Sequence, residues 1–167
     1  MSRERRLLKQ QLTRDDIGGW LFKCNPREWD IEAAIRDGRR IESWRVRESY
    51  RLSLIQAGDP AILWVTGSTG AHPEPGIWAV GYTTGELFDE SRNDDYWVNK
   101  EQGQQKAIYA GLLMWPISVV PRERVVANSA LGELEILRQA QMSNPSYLTP
   151  SQRQVIASLV EQWPSFS

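Results

Sequence analysis

The chain is poor in the residues that most often hold metal ions or crosslink a fold. Its 167 residues include one cysteine, Cys24, and one histidine, His72. A single cysteine excludes an internal disulfide, and a zinc site of the Cys/His kind needs about four such ligands. We therefore expect no bound metal and no cofactor.

Long apolar runs and an overall excess of one charge are also lacking. No apolar run approaches the roughly 20 residues that span a bilayer, and residues 1–14 lack the apolar core of a secretion signal. We expect a cytoplasmic protein with no membrane partner. The net charge of −1 argues against a protein that coats DNA by bulk attraction.

Tryptophan, by contrast, is abundant. The chain has eight tryptophans, far more than a chain this short would average. The indole is large and carries one N–H, so it favours cores, interfaces and stacking sites. Position within a predicted strand or helix gives a structural role to five of them: Trp20, Trp29, Trp64, Trp78 and Trp163.

Positive charge is concentrated in residues 36–51, which hold six arginines against three acidic residues. Arginine is a planar donor suited to phosphate and to stacking. Trp44 and Tyr50 are interleaved with these arginines. An aromatic ring in so charged a segment is either a buried anchor or a flat surface kept open for a ligand.

Apolar patterning predicts four main strands, near 17–24, 61–66, 76–84 and 107–120. It predicts helices near 29–37, 131–141 and 150–163, the last with a capping box from Thr149 to Gln152. Between these elements, 39–46 is interpreted as an extended or irregular link, 88–94 as a polar loop and 96–99 as a short strand.

These elements predict an α+β fold, with a small and partly closed barrel against which the helices pack. The spacers between 61 and 119 are too short for repeated crossover helices, so antiparallel strands are expected. We expect an N-terminal extension at 1–16, followed by a single domain with C-terminal helices at 17–167.

The order of five segments resembles the EVE domain of the PUA-like superfamily, a relative of the YTH readers of methylated adenine. The segments are WLFKCNPREWDI, ESWRVRESYR, AGDPAILWVTGS, GIWAVGYTTGE and DDYWVNKEQ. The resemblance covers residues 18–150. It implies a PUA-like, partly closed antiparallel β-barrel flanked by helices. It also implies an aromatic cage that binds a modified base, for example a methylated one, in DNA or RNA.

The resemblance further implies where the base would lie. Trp44 would form the first wall of the cage, and Trp97, or Tyr96 beside it, the second. The ends of two strands would border the base through Lys23, Cys24, Asn25, Thr66, Gly67 and Ser68. Flanking phosphates would be held by Arg40, Arg45 and Arg47, which position a strand without reading its sequence.

Several of these residues also have a simpler structural interpretation. Trp44 is alternatively a core anchor, and Trp97 alternatively packs in the core or at a sheet edge. Asn25 precedes a proline, which is typical of a turn. The acid pair Asp94 and Asp95 is expected to be solvated.

Two other functions stay open. Some ASCH domains of the same superfamily act as nucleases or amidohydrolases and carry a glycine–lysine–glutamate–arginine signature, which Gly38, Arg40, Glu42 and Arg45 approach. Arginine stands where lysine is wanted and cannot act as a base, and Glu42 comes one residue early. A protein that does not catalyse a reaction is therefore expected. The other alternative is an interaction module that binds no base.

Overall fold

The computed structural model describes residues 11–91 and 94–165, and its framework is one six-stranded sheet. The strands are β1 (Gly19–Cys24), β2 (Ile41–Val46), β3 (Pro60–Val65), β4 (Gly76–Glu90), β5 (Ala107–Pro121) and β6 (Ser146–Leu148). Their order across the sheet is β2-β5-β4-β3-β1-β6. The four main strands predicted from the apolar patterning are confirmed, and so is the α+β class. Residues 1–10 of the predicted extension lie outside the described residues.

One pair of strands runs parallel, against the expectation of an antiparallel sheet. β1 and β3 are parallel, with Trp20 opposite Ala61 and Cys24 opposite Val65, while the other pairs are antiparallel. A parallel pair needs a crossover of a dozen or more residues. The connection from β1 to β3 provides it, because it holds a helix, strand β2 and a 3₁₀ turn.

Short helices surround the sheet. They are α1 (Ile31–Arg36), α2 (Lys100–Gln104), α3 (Arg122–Val126), α4 (Glu135–Arg138) and α5 (Pro150–Leu159), with 3₁₀ turns at Arg14–Asp16, Tyr50–Leu54 and Ser129–Leu131. The capping box predicted for α5 is present, because Thr149 Oγ1 accepts from the Gln152 N–H at 3.1 Å and Gln152 Oε1 accepts from the Thr149 N–H at 2.9 Å. In the described part of the chain, no helix is long and apolar enough to cross a membrane.

The predictions for two charged segments are partly wrong. The segment 39–46, interpreted as an extended or irregular link, is extended, but most of it is the edge strand β2, paired antiparallel with β5 from Ile41 to Val46. The segment 88–94 is not entirely a loop, since β4 continues to Glu90. Both stretches are rich in charged residues, and the ladder to β5 holds them extended where their own composition gives no strand signal.

Two further element predictions are also wrong. Residues 96–99 form no strand. Trp97 makes a single β-bridge to Trp29, and helix α2 follows at Lys100. The helix predicted at 131–141 is reduced to α4 at Glu135–Arg138. Gly132 precedes it and lowers the helix propensity of that segment.

Each face of the sheet carries its own apolar layer, because side chains alternate along β1 and β3. Trp20, Phe22 and Leu63 belong to the first layer, and Leu21 and Ile62 to the second. The first layer also contains the aromatic residues around α1 and α2, and the second packs against α5. The candidate site lies on the side of the first layer.

The two ends of the sheet approach each other without forming a strand pair. The backbone N–H of Arg47, just after β2, donates to Asn144 O at 3.1 Å. The backbone N–H of Lys23 in β1 donates to Asn144 Oδ1 at 2.8 Å. The sheet is thus curled and partly closed, with the segment before β6 joining its edges.

A buried ion pair fastens the second half of the chain to the first. Arg51 Nη1 and Nη2 donate to the two Glu135 carboxylate oxygens at 2.6 and 2.8 Å. Arg51 Nη1 also donates to Pro145 O at 3.1 Å, and the Tyr147 N–H donates to Glu135 Oε1 at 3.2 Å. One guanidinium therefore ties a 3₁₀ turn to α4 and to the residue before β6, and Glu135 bonds β6 itself.

Replacing Glu135 with glutamine should destabilise the fold strongly. The Glu135→Gln variant leaves the Arg51 charge buried without its counter-ion, which typically costs about 3–5 kcal/mol. The matched control is Glu133→Gln, since the Glu133 side chain is 87% exposed and surface changes stay within about 0.5 kcal/mol. Urea unfolding measures both variants. Equal unfolding midpoints would show that the pair does not stabilise the fold.

Candidate functional site

A cavity of about 980 Å³ opens beside the edge strand β2. Ligand sites commonly have volumes of about 300–1,000 Å³. The end of β1, the turn after α1, the segment before α2 and the segment before β6 form its other sides. The lining includes eight of the residues predicted for the site: Lys23, Asn25, Arg40, Trp44, Arg45, Arg47, Tyr96 and Trp97.

Three aromatic rings form a cluster in this cavity. The ring centroids of Trp29 and Trp44 lie 5.2 Å apart with planes at 78°, and those of Trp29 and Tyr96 lie 5.4 Å apart at 62°. Such edge-to-face contacts are a favoured geometry for aromatic pairs. Trp29 is buried, whereas Trp44 and Tyr96 are half-buried. The cluster therefore presents two partly open rings supported by a third.

Hydrogen bonds fix the orientation of the cluster. The indole N–H of Trp44 donates to Lys23 O at 3.0 Å. Asp94 Oδ1 accepts from the Trp29 indole N–H at 3.1 Å and from the Tyr96 backbone N–H at 2.9 Å. The expectation that Asp94 is merely solvated is wrong, because its carboxylate holds two of the three aromatic residues in place.

The Tyr96 hydroxyl is also engaged. It donates to Asp37 Oδ2 at 3.0 Å. The hydrogen bond to this carboxylate raises the pKa of Tyr96 above its ordinary value. The Arg39 guanidinium carbon lies 5.9 Å from the centroid of the same ring. Tyr96 is thus held at its hydroxyl by an acid and flanked by a cation.

Asn144 is a residue of the site that the sequence analysis missed. Its side-chain amide pairs with the backbone of Lys23, accepting from the N–H at 2.8 Å and donating to the carbonyl at 3.1 Å. The Lys23 carbonyl is the same atom that receives the Trp44 indole N–H. No local pattern signals this role, because the partners are 121 positions apart in the chain.

Trp97 and Arg45 pack on each other. Trp97 is only 9% exposed, and the Arg45 guanidinium carbon lies 4.6 Å from its ring centroid. Arg45 Nη2 donates to Gln102 O at 2.9 Å and to the Tyr109 hydroxyl at 3.0 Å. Tyr96 is thus more exposed than Trp97. Arg45 has several partners within the protein.

Four of the residues predicted for the site are not among the described residues that line the cavity. They are Cys24, Thr66, Gly67 and Ser68. The Cys24 thiol is 1% exposed and donates to Trp29 O at 3.7 Å. Thr66 bonds to the Cys24 carbonyl through its N–H at 3.0 Å. Gly67 and Ser68 are exposed on the following loop.

The cavity carries charges of both signs, unevenly placed. Among its described lining residues, two of the acids, Asp37 and Asp94, are bonded to the aromatic cluster. Arg39, Arg40 and Arg47 are exposed. The rim therefore offers guanidinium groups to an approaching ligand. Across residues 11–91 and 94–165, no group of three or more histidine, cysteine or acidic side chains could hold a metal ion.

The six-stranded sheet, its short helices and the cavity beside β2 define a mixed α+β domain. The EVE domain profile matches residues 19–159. The chain belongs to the EVE domain family, which confirms the resemblance seen in the sequence. No curated protein matches the sequence.

Solved structures of the same fold are distant in sequence. A hypothetical protein from Leishmania major is 16% identical, with 88% of this chain and 96% of that chain covered and a TM-score of 0.58. Human THYN1 in complex with 5-methylcytosine-containing DNA is 15% identical, with 87% and 99% covered and a TM-score of 0.54. An ASCH protein from Zymomonas mobilis is 12% identical, with 91% and 100% covered and a TM-score of 0.50.

The packing of Trp97 predicts that Gly103 does not tolerate a side chain. A Cβ at Gly103 would collide with Trp97 Cδ1, so the ring or helix α2 must shift. We expect Gly103→Ala to lower the unfolding free energy by about 1–3 kcal/mol. Gly132→Ala is the control, since its Cβ would meet its nearest neighbour at 3.6 Å. Equal melting temperatures for both variants would contradict this packing.

The placement of Cys24 predicts a thiol that is inert in the native protein. Burial raises the pKa of the Cys24 thiol, and the thiolate is the reactive form. A thiol reagent at mildly alkaline pH should leave the folded protein unmodified and label the chain once in concentrated guanidinium. Rapid labelling of the folded protein would place the thiol in the cavity instead.

Proposed function

We propose that this protein binds nucleic acid and holds one modified base in the cavity between Trp44 and Tyr96. The observation that carries the proposal is the aromatic cluster fixed by hydrogen bonds at a cavity with exposed arginines on its rim. Membership of the EVE domain family supports it. So does the likeness in fold to THYN1, whose structure is a complex with 5-methylcytosine-containing DNA.

The favourable binding free energy in such a site comes mainly from stacking of the base on the aromatic rings. A base on an aromatic side chain gains roughly 1–3 kcal/mol. The walls lose little freedom on binding, because Trp44 is already held by Lys23 O and Tyr96 by Asp37. Such preorganisation raises affinity by lowering the ordering cost. A methyl group on the base adds buried apolar surface worth about 0.8 kcal/mol.

Polar groups around the rings would select the base. Asn25 and Ser43 line the cavity beside Trp44, and they supply an amide and a hydroxyl at its edge. A base whose buried edge leaves such a group unpaired loses about 1–3 kcal/mol. A duplex base must be flipped out to reach the cavity, whereas a single-stranded base need not be.

The exposed arginines would contact the backbone of the strand. Arg40 and Arg47 lie at different parts of the rim, after α1 and after β2. Contacts to phosphate fix the position of a strand without reading its sequence. Affinity should therefore fall as salt rises, because releasing condensed counter-ions into a more concentrated salt solution gains less free energy.

A catalytic alternative comes from the ASCH likeness and from the placement of the four residues that approach its signature. Gly38, Arg40, Glu42 and Arg45 all line the same cavity. Arg45 is packed on Trp97 and bonded to Gln102 O, and a guanidinium cannot serve as a general base. Glu42 is left as the acid–base group of that signature. We propose binding without turnover.

The test is to measure the binding of a panel of oligonucleotides to the wild-type protein and to variants in which one tryptophan is replaced by alanine. DNA and RNA oligonucleotides carry 5-methylcytosine, N6-methyladenine or no modification, as single strands and duplexes. The wild-type protein should prefer a modified strand, and Trp44→Ala should weaken that binding by about 1–3 kcal/mol. Titration by fluorescence anisotropy measures both.

Trp163→Ala is the matched control. Trp163 is half-buried like Trp44, and its indole N–H also donates to a backbone carbonyl, Gly81 O at 3.2 Å. It packs in the apolar layer on the other face of the sheet. Both variants should lose some stability, so titrations are done well below their melting temperatures. If Trp44→Ala and Trp163→Ala lose affinity equally, the loss in Trp44→Ala comes from damage to the fold and not from a lost contact with the base.

Two other results would replace the proposed function. A folded wild-type protein that binds no oligonucleotide of the panel would be an interaction module that has no base ligand. Cleavage products from labelled DNA or RNA, or stoichiometric metal in the purified protein, would bring the catalytic alternative to the front.

A further inference from the structure

A second, smaller groove continues from the cavity along the surface. Its volume is about 360 Å³, and it shares Arg47, Ser143 and Asn144 with the cavity lining. The stretch after β2 forms one side of it and the stretch before β6 the other. A chain-like ligand that leaves the cavity past Arg47 enters this groove directly.

Tyr50 presents an aromatic ring to the groove. Tyr50 is 41% exposed. The other large apolar side chains that are exposed in the described part of the chain are aliphatic. Its hydroxyl oxygen accepts a hydrogen bond from the Leu12 backbone N–H at 2.9 Å. The ring is therefore held at its phenol end while part of its surface stays open. Tyr50 is not part of the aromatic cluster in the cavity.

The charges of the groove suit a base better than a second phosphate. Arg51 lines it, but its guanidinium is paired with Glu135 at 2.6 Å. Glu48 adds a negative charge to the same lining. Arg47 is exposed at the junction of groove and cavity. A cation thus stands between two sites that each offer an aromatic ring.

We propose that the groove takes the nucleotide next to the one in the cavity. Its base stacks on Tyr50, and the phosphate that joins the two nucleotides lies at Arg47. Adjacent nucleotides share one phosphate. This arrangement corresponds to that of the protein, where the single cation Arg47 lies between the aromatic cluster of the cavity and Tyr50 of the groove. Because stacking tolerates every base, the neighbour contributes affinity whatever its identity. The inference rests on the proposed function and gives it a minimum ligand of two nucleotides.

The experiment compares two ligands on the full-length protein. One is a single-stranded DNA trinucleotide with a central 5-methylcytosine, and the other is the nucleoside 5-methyl-2′-deoxycytidine, titrated by NMR. The variants are Tyr50→Leu, which keeps apolar volume and removes the ring, and Tyr50→Phe, which keeps the ring and removes the hydroxyl. Tyr50→Leu should bind the trinucleotide about tenfold more weakly and the nucleoside as tightly as the wild type. Tyr50→Phe should match the wild type with both.

Each other outcome contradicts the inference. If Tyr50→Leu binds the trinucleotide as tightly as the wild type does, the groove is not a nucleotide site, and the proposed function is unaffected. Equal weakening of nucleoside and trinucleotide binding makes Tyr50 a support of the fold, and unchanged nucleoside binding is the check that the variant is folded. If the wild-type protein binds neither probe, the groove fails as the site for the neighbour of 5-methylcytosine, while the proposed function fails only if no oligonucleotide of the binding panel binds.

Discussion

The carbonyl oxygen of Lys23 accepts two hydrogen bonds, one from the indole of Trp44 and one from the side-chain amide of Asn144. These three residues stand on β1, on β2 and on the stretch before β6. Since β2 and β6 are the outer strands of the sheet, this one carbonyl links the outer strand β2 to β1 and to the stretch that leads into β6. It thus holds Trp44 and Asn144, two residues that line the cavity, at a single atom.

The arginine-rich stretch illustrates how much of a site composition alone can indicate. In the sequence, its arginines look equivalent. In the fold, Arg45 packs on a tryptophan and Arg51 is buried against Glu135, while Arg40 and Arg47 remain exposed. The division follows from where each residue lies, since Arg45 is in β2, Arg40 and Arg47 flank it and Arg51 is in the 3₁₀ turn, and from which distant partner it meets. Neither is visible within a window of a few residues.

Features set by neighbouring residues were predicted from the sequence, whereas features set by distant partners were not. Continuous apolar runs predicted β1 and β3, and a local capping box predicted the start of α5, because these signals lie within a few positions of each other. Strand β2 was missed because pairing with β5 makes it extended, and Asp94 and Asn144 were missed because their partners are distant in sequence. Trp29 was assigned to the start of a helix, yet it supports both open rings of the cluster.

The aromatic cluster belongs to the apolar layer of the fold as well as to the cavity, since Trp29, Trp44 and Tyr96 pack against the same core residues. Any substitution that reshapes the walls is therefore also a substitution in the core and carries a cost in stability. Arg40 and Arg47, exposed on the rim, have no such double role. Over evolutionary time, contacts to a ligand's backbone can change freely in such a domain, while a change in the group held by the rings requires compensating stabilisation elsewhere.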